Sequence, residues 1–290
     1  MKRFLIFILI LITHCSFDNK TGIWKNNNLD LKEKDRFKDF EKLFTEDKTF
    51  DSIIAPSGNL VLKINTIKNN SKWPDEFYQE SNNLDNFSYS NLNNLVFKSK
   101  KLSRSTIKDR ILFDKNNIIL SDKKGNIIIY SIENESILYK YNFYKKKFKK
   151  IEKKLKFIVE EGILYVADNL GYLYAISIEK QNLIWAKNYK VPFRSNLKIS
   201  KNYLLIANQD NNLYIVNKYT GERIKTIPTE EVTLKNDFIN SLSLYKNYLL
   251  FLNTYGSLYS LRQENFRINW FVNLNQSIDT SPNSLFFSNP

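Results

Sequence analysis

A turn signature recurs along this chain at intervals of 46, 40 and 45 residues. It stands at Asp122-Lys-Lys-Gly125, Asp168-Asn-Leu-Gly171, Asn208-Gln-Asp-Asn211 and Asn253-Thr-Tyr-Gly256. The columns around it repeat as well. Two places after the last turn residue come Ile127, Leu173, Leu213 and Leu258, and five places before it come Leu120, Val166, Ile206 and Phe251. Seven places before it are Ile118, Leu164, Leu204 and Leu249. Apolar residues two apart mark the face of a strand. A repeat of about 40 to 45 residues suits a four-stranded blade, which cannot bury both faces alone and is stable only when stacked against its neighbours. The sequence therefore predicts an all-β chain, a β-propeller of four-stranded blades, with clear repeats over residues 104 to 143, 151 to 190, 195 to 227 and 238 to 274.

Each column has a physical reason. The Gly or Asn that ends the turn tolerates positive φ, and the Asp or Asn three places earlier can bond the turn backbone. Fourteen places after the turn, Tyr139, Trp185, Lys225 and Trp270 share one column. A large side chain there is expected to fill the gap between successive sheets, so Trp185 and Trp270 are read as packing residues. Trp24 and Trp73 fall outside the clear repeats and stay open as loop anchors or contact residues. Ile53, Gly58, Leu60 and Val61 match the columns in part, while Asn69 to Lys108, rich in Asn, Ser and Lys, reads as an insertion or a worn blade with a strand at Leu95 to Phe97. Ser277 to Pro290 reads as the first strand of a further blade. The length admits about six blades.

The amino terminus reads as a processing signal. Lys2 and Arg3 precede an apolar run from Phe4 to Ile12, too short to span a hydrocarbon core of about 30 Å. Leu11-Ile-Thr-His-Cys15 follows, and it holds the single cysteine of the 290 residues. The organisation expected is a signal peptide over residues 1 to 14, a tether over 15 to 45 and the propeller over 46 to 290. Ser16 to Asn28 reads as polar spacer, and Phe37, Phe40 and Phe44 after Asp30 and Glu33 predict a short helix over 31 to 44. One cysteine, one histidine and one methionine exclude a disulfide framework and a Cys/His zinc site. The 42% hydrophobic share is enough for a packed core.

Leu11 to Cys15 resembles the lipobox of bacterial lipoproteins, with His14 in place of the usual small residue; the resemblance implies lipid attachment at Cys15. The run Gly171-Tyr-Leu-Tyr-Ala-Ile-Ser-Ile-Glu-Lys-Gln-Asn-Leu-Ile-Trp185, with Tyr219-Thr-Gly-Glu222, resembles the repeat of the PQQ-type β-propellers, written roughly D-x-x-G-x-L-Y-A-L-D-x-x-T-G-x-x-x-W. It covers about residues 104 to 274. A signal peptide, a lipobox and a bare propeller together resemble the BamB family, lipoprotein subunits of the outer-membrane β-barrel assembly machinery. That resemblance implies a non-enzymatic scaffold on the periplasmic face of the outer membrane. Its expected partners are outer-membrane protein assembly components and, through the N-terminal lipid, the membrane, with no cofactor and no small-molecule substrate. The alternatives are a surface or periplasmic ligand-binding lipoprotein and a quinoprotein-type dehydrogenase. The dehydrogenases carry adjacent cysteines and a calcium shell, and neither the cysteine pair nor a spacing such as D-x-D-x-D-G is present here.

The formal charge is +14. Lys145, Lys146, Lys147, Lys149, Lys150, Lys153, Lys154 and Lys156 lie within twelve residues, broken by Phe148, Ile151 and Leu155. Two readings stand. One is a solvated loop in a chain rich in Lys, Asn and Ile throughout. The other is a patch for anionic headgroups or an acidic partner. Nucleic acid is not an expected partner, because an exported lipoprotein does not meet it and no base-reading module is present.

Overall fold

The computed structural model describes Ser16–Phe17, Trp24–Lys25 and, with short gaps, residues 55 to 108, followed by 110 to 232 and 238 to 274. Cys15, the signal segment, the expected helix over 31 to 44, Ile53, Leu60 and Ser277 to Pro290 lie outside the described residues. The chain divides into two units, Met1–Leu62 and Lys63–Pro290. In the first, β1 (Ser16–Phe17) pairs antiparallel with β2 (Trp24–Lys25), Phe17 opposite Trp24. Aromatic residues favour strands. This short pairing falls inside the stretch that composition alone marks as spacer.

The second unit is all β, with a single 3₁₀ turn at Lys146–Phe148 among the described residues. Sixteen strands form four antiparallel four-stranded sheets in strict chain order. The first sheet comprises β3 (Leu112–Asp114), β4 (Asn117–Ser121), β5 (Asn126–Ser131) and β6 (Ser136–Asn142). The second comprises β7 (Leu155–Glu160), β8 (Ile163–Asp168), β9 (Tyr172–Ser177) and β10 (Asn182–Asn188). The third comprises β11 (Lys198–Ser200), β12 (Tyr203–Ala207), β13 (Leu213–Asn217) and β14 (Arg223–Ile227). The fourth comprises β15 (Ser241–Tyr245), β16 (Tyr248–Leu252), β17 (Ser257–Arg262) and β18 (Ile268–Asn273). These are the blades of a multi-blade β-propeller. Leu95 and Phe97 are not in a strand.

The same local chemistry builds each sheet. First and second strands meet at two-residue turns, and Lys115, Glu161, Lys201 and Lys246 take positive φ there, as the tight hairpins compatible with strand twist require. At the signature turn, Oδ1 of Asp122, Asp168, Asn208 and Asn253 each accepts two backbone N–H groups, from residues two and four places on, at 2.8 to 3.0 Å. Gly125, Gly171, Asn211 and Gly256 close that turn with φ between 58° and 84°. Third and fourth strands carry a bulge at one position in every sheet, next to Ile129, Leu183, Ile215 and Ser260. The residue that follows the bulge on the fourth strand is the column of Tyr139, Trp185, Lys225 and Trp270, so the extra residue sets the direction of that side chain.

Three cores lie between successive sheets. Ile127, Ile129, Phe157, Val166 and Tyr174 belong to the first; Tyr165, Ala175, Trp185, Leu204 and Ile206 to the second; Leu205, Ile215, Leu249, Phe251 and Leu261 to the third. Alternate residues of one strand serve opposite cores, as with Leu204 and Leu205, because side chains alternate across a pleat. Trp185 is buried, its Nε1–H donates to the Lys218 carbonyl at 3.0 Å, and a Cβ on Gly221 would stand 2.4 Å from its ring. Lys225, the exception in that column, makes the equivalent contact by other means. Its ammonium donates to the carbonyls of Asn265 and Phe266 in the next sheet. Trp270 departs from the packing expectation and is 45% exposed, because among the described residues no further sheet follows the fourth.

Candidate functional site

β3, β7, β11 and β15 are the first strands of their sheets, and one segment, Trp73 to Asn82, touches all four. Trp73 and Phe113 of β3 exchange both backbone hydrogen bonds, at 2.7 and 3.0 Å. The Val159 N–H of β7 donates to the Pro74 carbonyl, and the Leu244 N–H of β15 donates to Glu80, both at 2.8 Å. Lys198 of β11 donates through its ammonium to Asp75 Oδ2 at 2.6 Å and to the Gln79 carbonyl at 2.9 Å. Asn82 Nδ2 donates to the Leu242 carbonyl at 2.9 Å. The segment links the first strands of all four sheets. The stretch that reads in sequence as an insertion or a worn blade thus supplies, at these residues, an axle.

Charge fixes the axle in place. The Asp75 and Lys198 side chains are both buried, at 3% and 0% exposure. Burial pushes the Asp75 carboxyl up and the Lys198 ammonium down, each resisted by the opposite charge of the other. Glu76, beside it, has a buried carboxylate that accepts from Arg110 at 2.8 Å, Lys156 at 3.1 Å and the Phe157 N–H at 3.3 Å. A cavity of about 500 Å³ opens next to the segment, lined by Asp75, Glu80, Glu160, Ile199, Leu244 and Tyr245. Two of its carboxylates are already engaged, Asp75 by Lys198 and Glu160 by Lys218. Among the described residues no group of three His, Cys, Asp or Glu is placed to hold a metal.

The structure divides the lysine run. Lys145, Lys146, Lys147, Lys149, Lys150 and Lys154 are exposed on the linker between the first two sheets. Lys153 is buried; its ammonium donates to the Phe148 carbonyl and lies 5.2 Å from the Tyr144 ring centroid. Burial lowers its pKa, partly offset by Asp122 and Asp168. Lys156, on β7, is paired with Glu76. Neither of these two belongs to the solvent-facing set, and Cys15 lies outside the described residues.

The fourth sheet presents a second surface. Leu250, Leu252 and Leu258 form one apolar face with Ser241 and Ser243, and a groove of about 420 Å³ runs between it, Phe77 and Asn82. β18 is exposed along its length, including Phe271 and Val272.

No protein-family profile matches the chain, and no curated protein matches it. Solved structures do resemble it. BamB from Moraxella catarrhalis shares 12% identity over 54% of this chain and 49% of its own, with a TM-score of 0.46. The computationally designed Ika8 shares 13% over 55% of this chain and 46% of its own, at 0.45. The designed Ika4 shares 13% over 59% of this chain and 99% of its own, at 0.47. The chain spans about half the length of the BamB and Ika8 structures it matches. Among the described residues no helix is long and apolar enough to cross a membrane.

Proposed function

We propose that this protein is a lipid-anchored β-propeller scaffold, not an enzyme, that works by protein–protein contact in outer-membrane β-barrel protein assembly and insertion. Lipid attachment at Cys15 holds it on the periplasmic face of the outer membrane. The observation that carries the scaffold reading is the last sheet. Trp270 occupies the column in which Trp185 inserts against a following β-turn and finds a carbonyl for its indole N–H, yet it stands half exposed, in register with Ser260 and, across it, Leu250. The chemistry that would complete this face is more β-structure: an extended segment of an assembly partner, laid on the apolar face or along β18.

The test is affinity purification of the tagged chain from detergent-solubilised membranes, beside a Leu258→Asp/Trp270→Ala variant and a Cys15→Ser variant. Components of β-barrel assembly are expected with the wild type and lost with the first variant, and labelled palmitate should enter only chains that keep Cys15. A bound quinone chromophore, or a chain that purifies without partners from membranes in which the assembly machinery is intact, would overturn the reading.

A further inference from the structure

The four sheets serve as controls on one another, because equivalent loops can be compared position by position. The two inner residues of the signature turn are Lys123 and Lys124 in the first sheet, but Asn169 and Leu170, Gln209 and Asp210, and Thr254 and Tyr255 in the others. The linker to the next sheet lies at this same end, since the Lys153 N–H donates to the Lys123 carbonyl. After the first sheet that linker carries the six exposed lysines, whereas after the third its described part carries Glu230 and Glu231. At the opposite end, the hairpin turns mix signs, with Lys115, Glu135, Glu161, Glu179, Lys201 and Lys246. A chain that was lysine-rich by composition alone would spread the charge. Here it is densest on one end of the first blade, the linker after the second sheet adding only Lys190 and Arg194.

The chain feeding into β3 adds to that end. A basin of about 610 Å³ is lined by Lys101, Arg104, Lys124 and Lys140. The acids nearby offset few of these cations, Glu152 acting on Lys123 and Lys154 as well as on Lys108. Asp122 is buried and accepts from Ser103, Asn126 and two backbone N–H groups, Asp168 is buried against Tyr144, and Glu152 is paired with Lys108. We infer that the signature-turn end of the first blade, with its linker, is a docking surface for an anionic lipid bilayer. Its cations are lysines with one arginine, and lysines are strongly hydrated point charges on flexible stems that can follow a fluid array of phosphates. In the middle of the lysines Ile151 is 44% exposed and Phe148 is half-buried under the Lys147 ammonium, 4.8 Å from its ring centroid. A bare aliphatic side chain amid cations gains by entering the interfacial zone of a membrane. The inference rests on the scaffold reading in one respect: lipid attachment brings a bilayer within reach.

Competition between vesicles tests it. The purified full chain is offered vesicles of phosphatidylcholine and vesicles of phosphatidylcholine and phosphatidylglycerol in equal parts, together, and its distribution is read by flotation. The wild type should prefer the anionic vesicles by at least about tenfold at low salt. Lys146→Gln/Lys147→Gln/Lys149→Gln/Lys150→Gln should lose most of that preference, while Lys115→Gln/Lys180→Gln/Lys201→Gln/Lys246→Gln, with the same change in net charge, should keep it. Equal losses in the two variants would overturn the assignment. So would a wild type that shows no preference between vesicles, and retention on polyglutamate resin in that case would assign the surface to an acidic protein. Because any N-terminal anchor enters both vesicle types alike, the outcome is independent of whether Cys15 is acylated.

Discussion

Replacing Lys198 by Met isolates the ion pair that holds the axle to β11. The substitution keeps length and apolar bulk but removes the cation 2.6 Å from Asp75 Oδ2 and the donor to the Gln79 carbonyl. Both side chains are out of water, so the carboxylate left behind has no solvent to replace its partner, and removing one member of a buried pair costs about 3–5 kcal/mol. For a unit of this size that corresponds to roughly 6–20 °C in Tm. The cost has a pH signature. Burial already holds the Asp75 carboxyl above its ordinary 3.8, and loss of Lys198 raises it further. An acid whose pKa is raised in the folded state stabilises that state most when protonated, and loses this as pH rises through the folded value. The deficit of Lys198→Met is therefore largest near neutrality and shrinks toward pH 4. Asp75→Leu/Lys198→Met removes both charges and should recover at least about 2 kcal/mol, although the Asp75 bond to the Phe77 N–H at 2.9 Å is also lost. Urea denaturation followed by fluorescence at two pH values gives all three numbers. A single variant within about 1 kcal/mol of wild type near neutrality, or a double variant no better than the single, would refute the reasoning.

Three further outcomes follow from the repeat. Trp185→Ala should cost about 3–5 kcal/mol in urea denaturation, and Trp270→Ala less than about 1 kcal/mol, because the same column is sealed in one sheet and half open in the other. Gly221→Ala places a methyl 2.4 Å from the Trp185 ring at φ +67° and should cost at least about 2 kcal/mol. Gly162→Ala, at φ +77° with nothing within 4 Å, should cost only about 1 kcal/mol in the same assay. Glu230 accepts from Asn253, Ser257 and Tyr259 at 2.6 to 2.8 Å. Although burial pushes its pKa up, these bonds together hold it below 4.5. Its contribution is present above that value and lost as pH falls through the folded pKa, so Glu230→Gln should be less stable than wild type by about 1–3 kcal/mol near neutrality. In acid denaturation the two curves should converge as pH falls below the folded pKa of Glu230.

What could be read from sequence was what is local. The Asp or Asn of each signature turn bonds backbone groups two and four residues away, so its chemistry is complete inside a short window, and the strand columns follow from the alternation of the pleat. The bulge before the Trp185 column left no distinctive trace in residue type, since the aliphatic Leu138, Ile184 and Ile224 look like ordinary strand residues and Asn269 breaks the column. The axle was hidden for another reason. Asp75 and Lys198 are 123 residues apart, and no periodicity links a single-copy segment to a repeat. Its one signal was compositional: Trp73, Phe77 and Tyr78 around two adjacent acids, in a stretch otherwise of Asn, Ser and Lys. Sequence counts charge without direction, so it could not separate Lys153 and Lys156 from the six exposed lysines of the run. Lys156 lies on β7, where its contact with Glu76 depends on chain 80 residues earlier.

A row of blades that touch only their neighbours behaves as a linear array, in which each unit can open without consulting those further along. The axle abolishes that independence. Residues 73 to 82 find all their partners only when β3, β7, β11 and β15 are in place, so this short segment ties together strands far apart in the chain. Every blade then shares one fate: fraying that frees the axle withdraws support from all four at once, and the array unfolds as a single cooperative body.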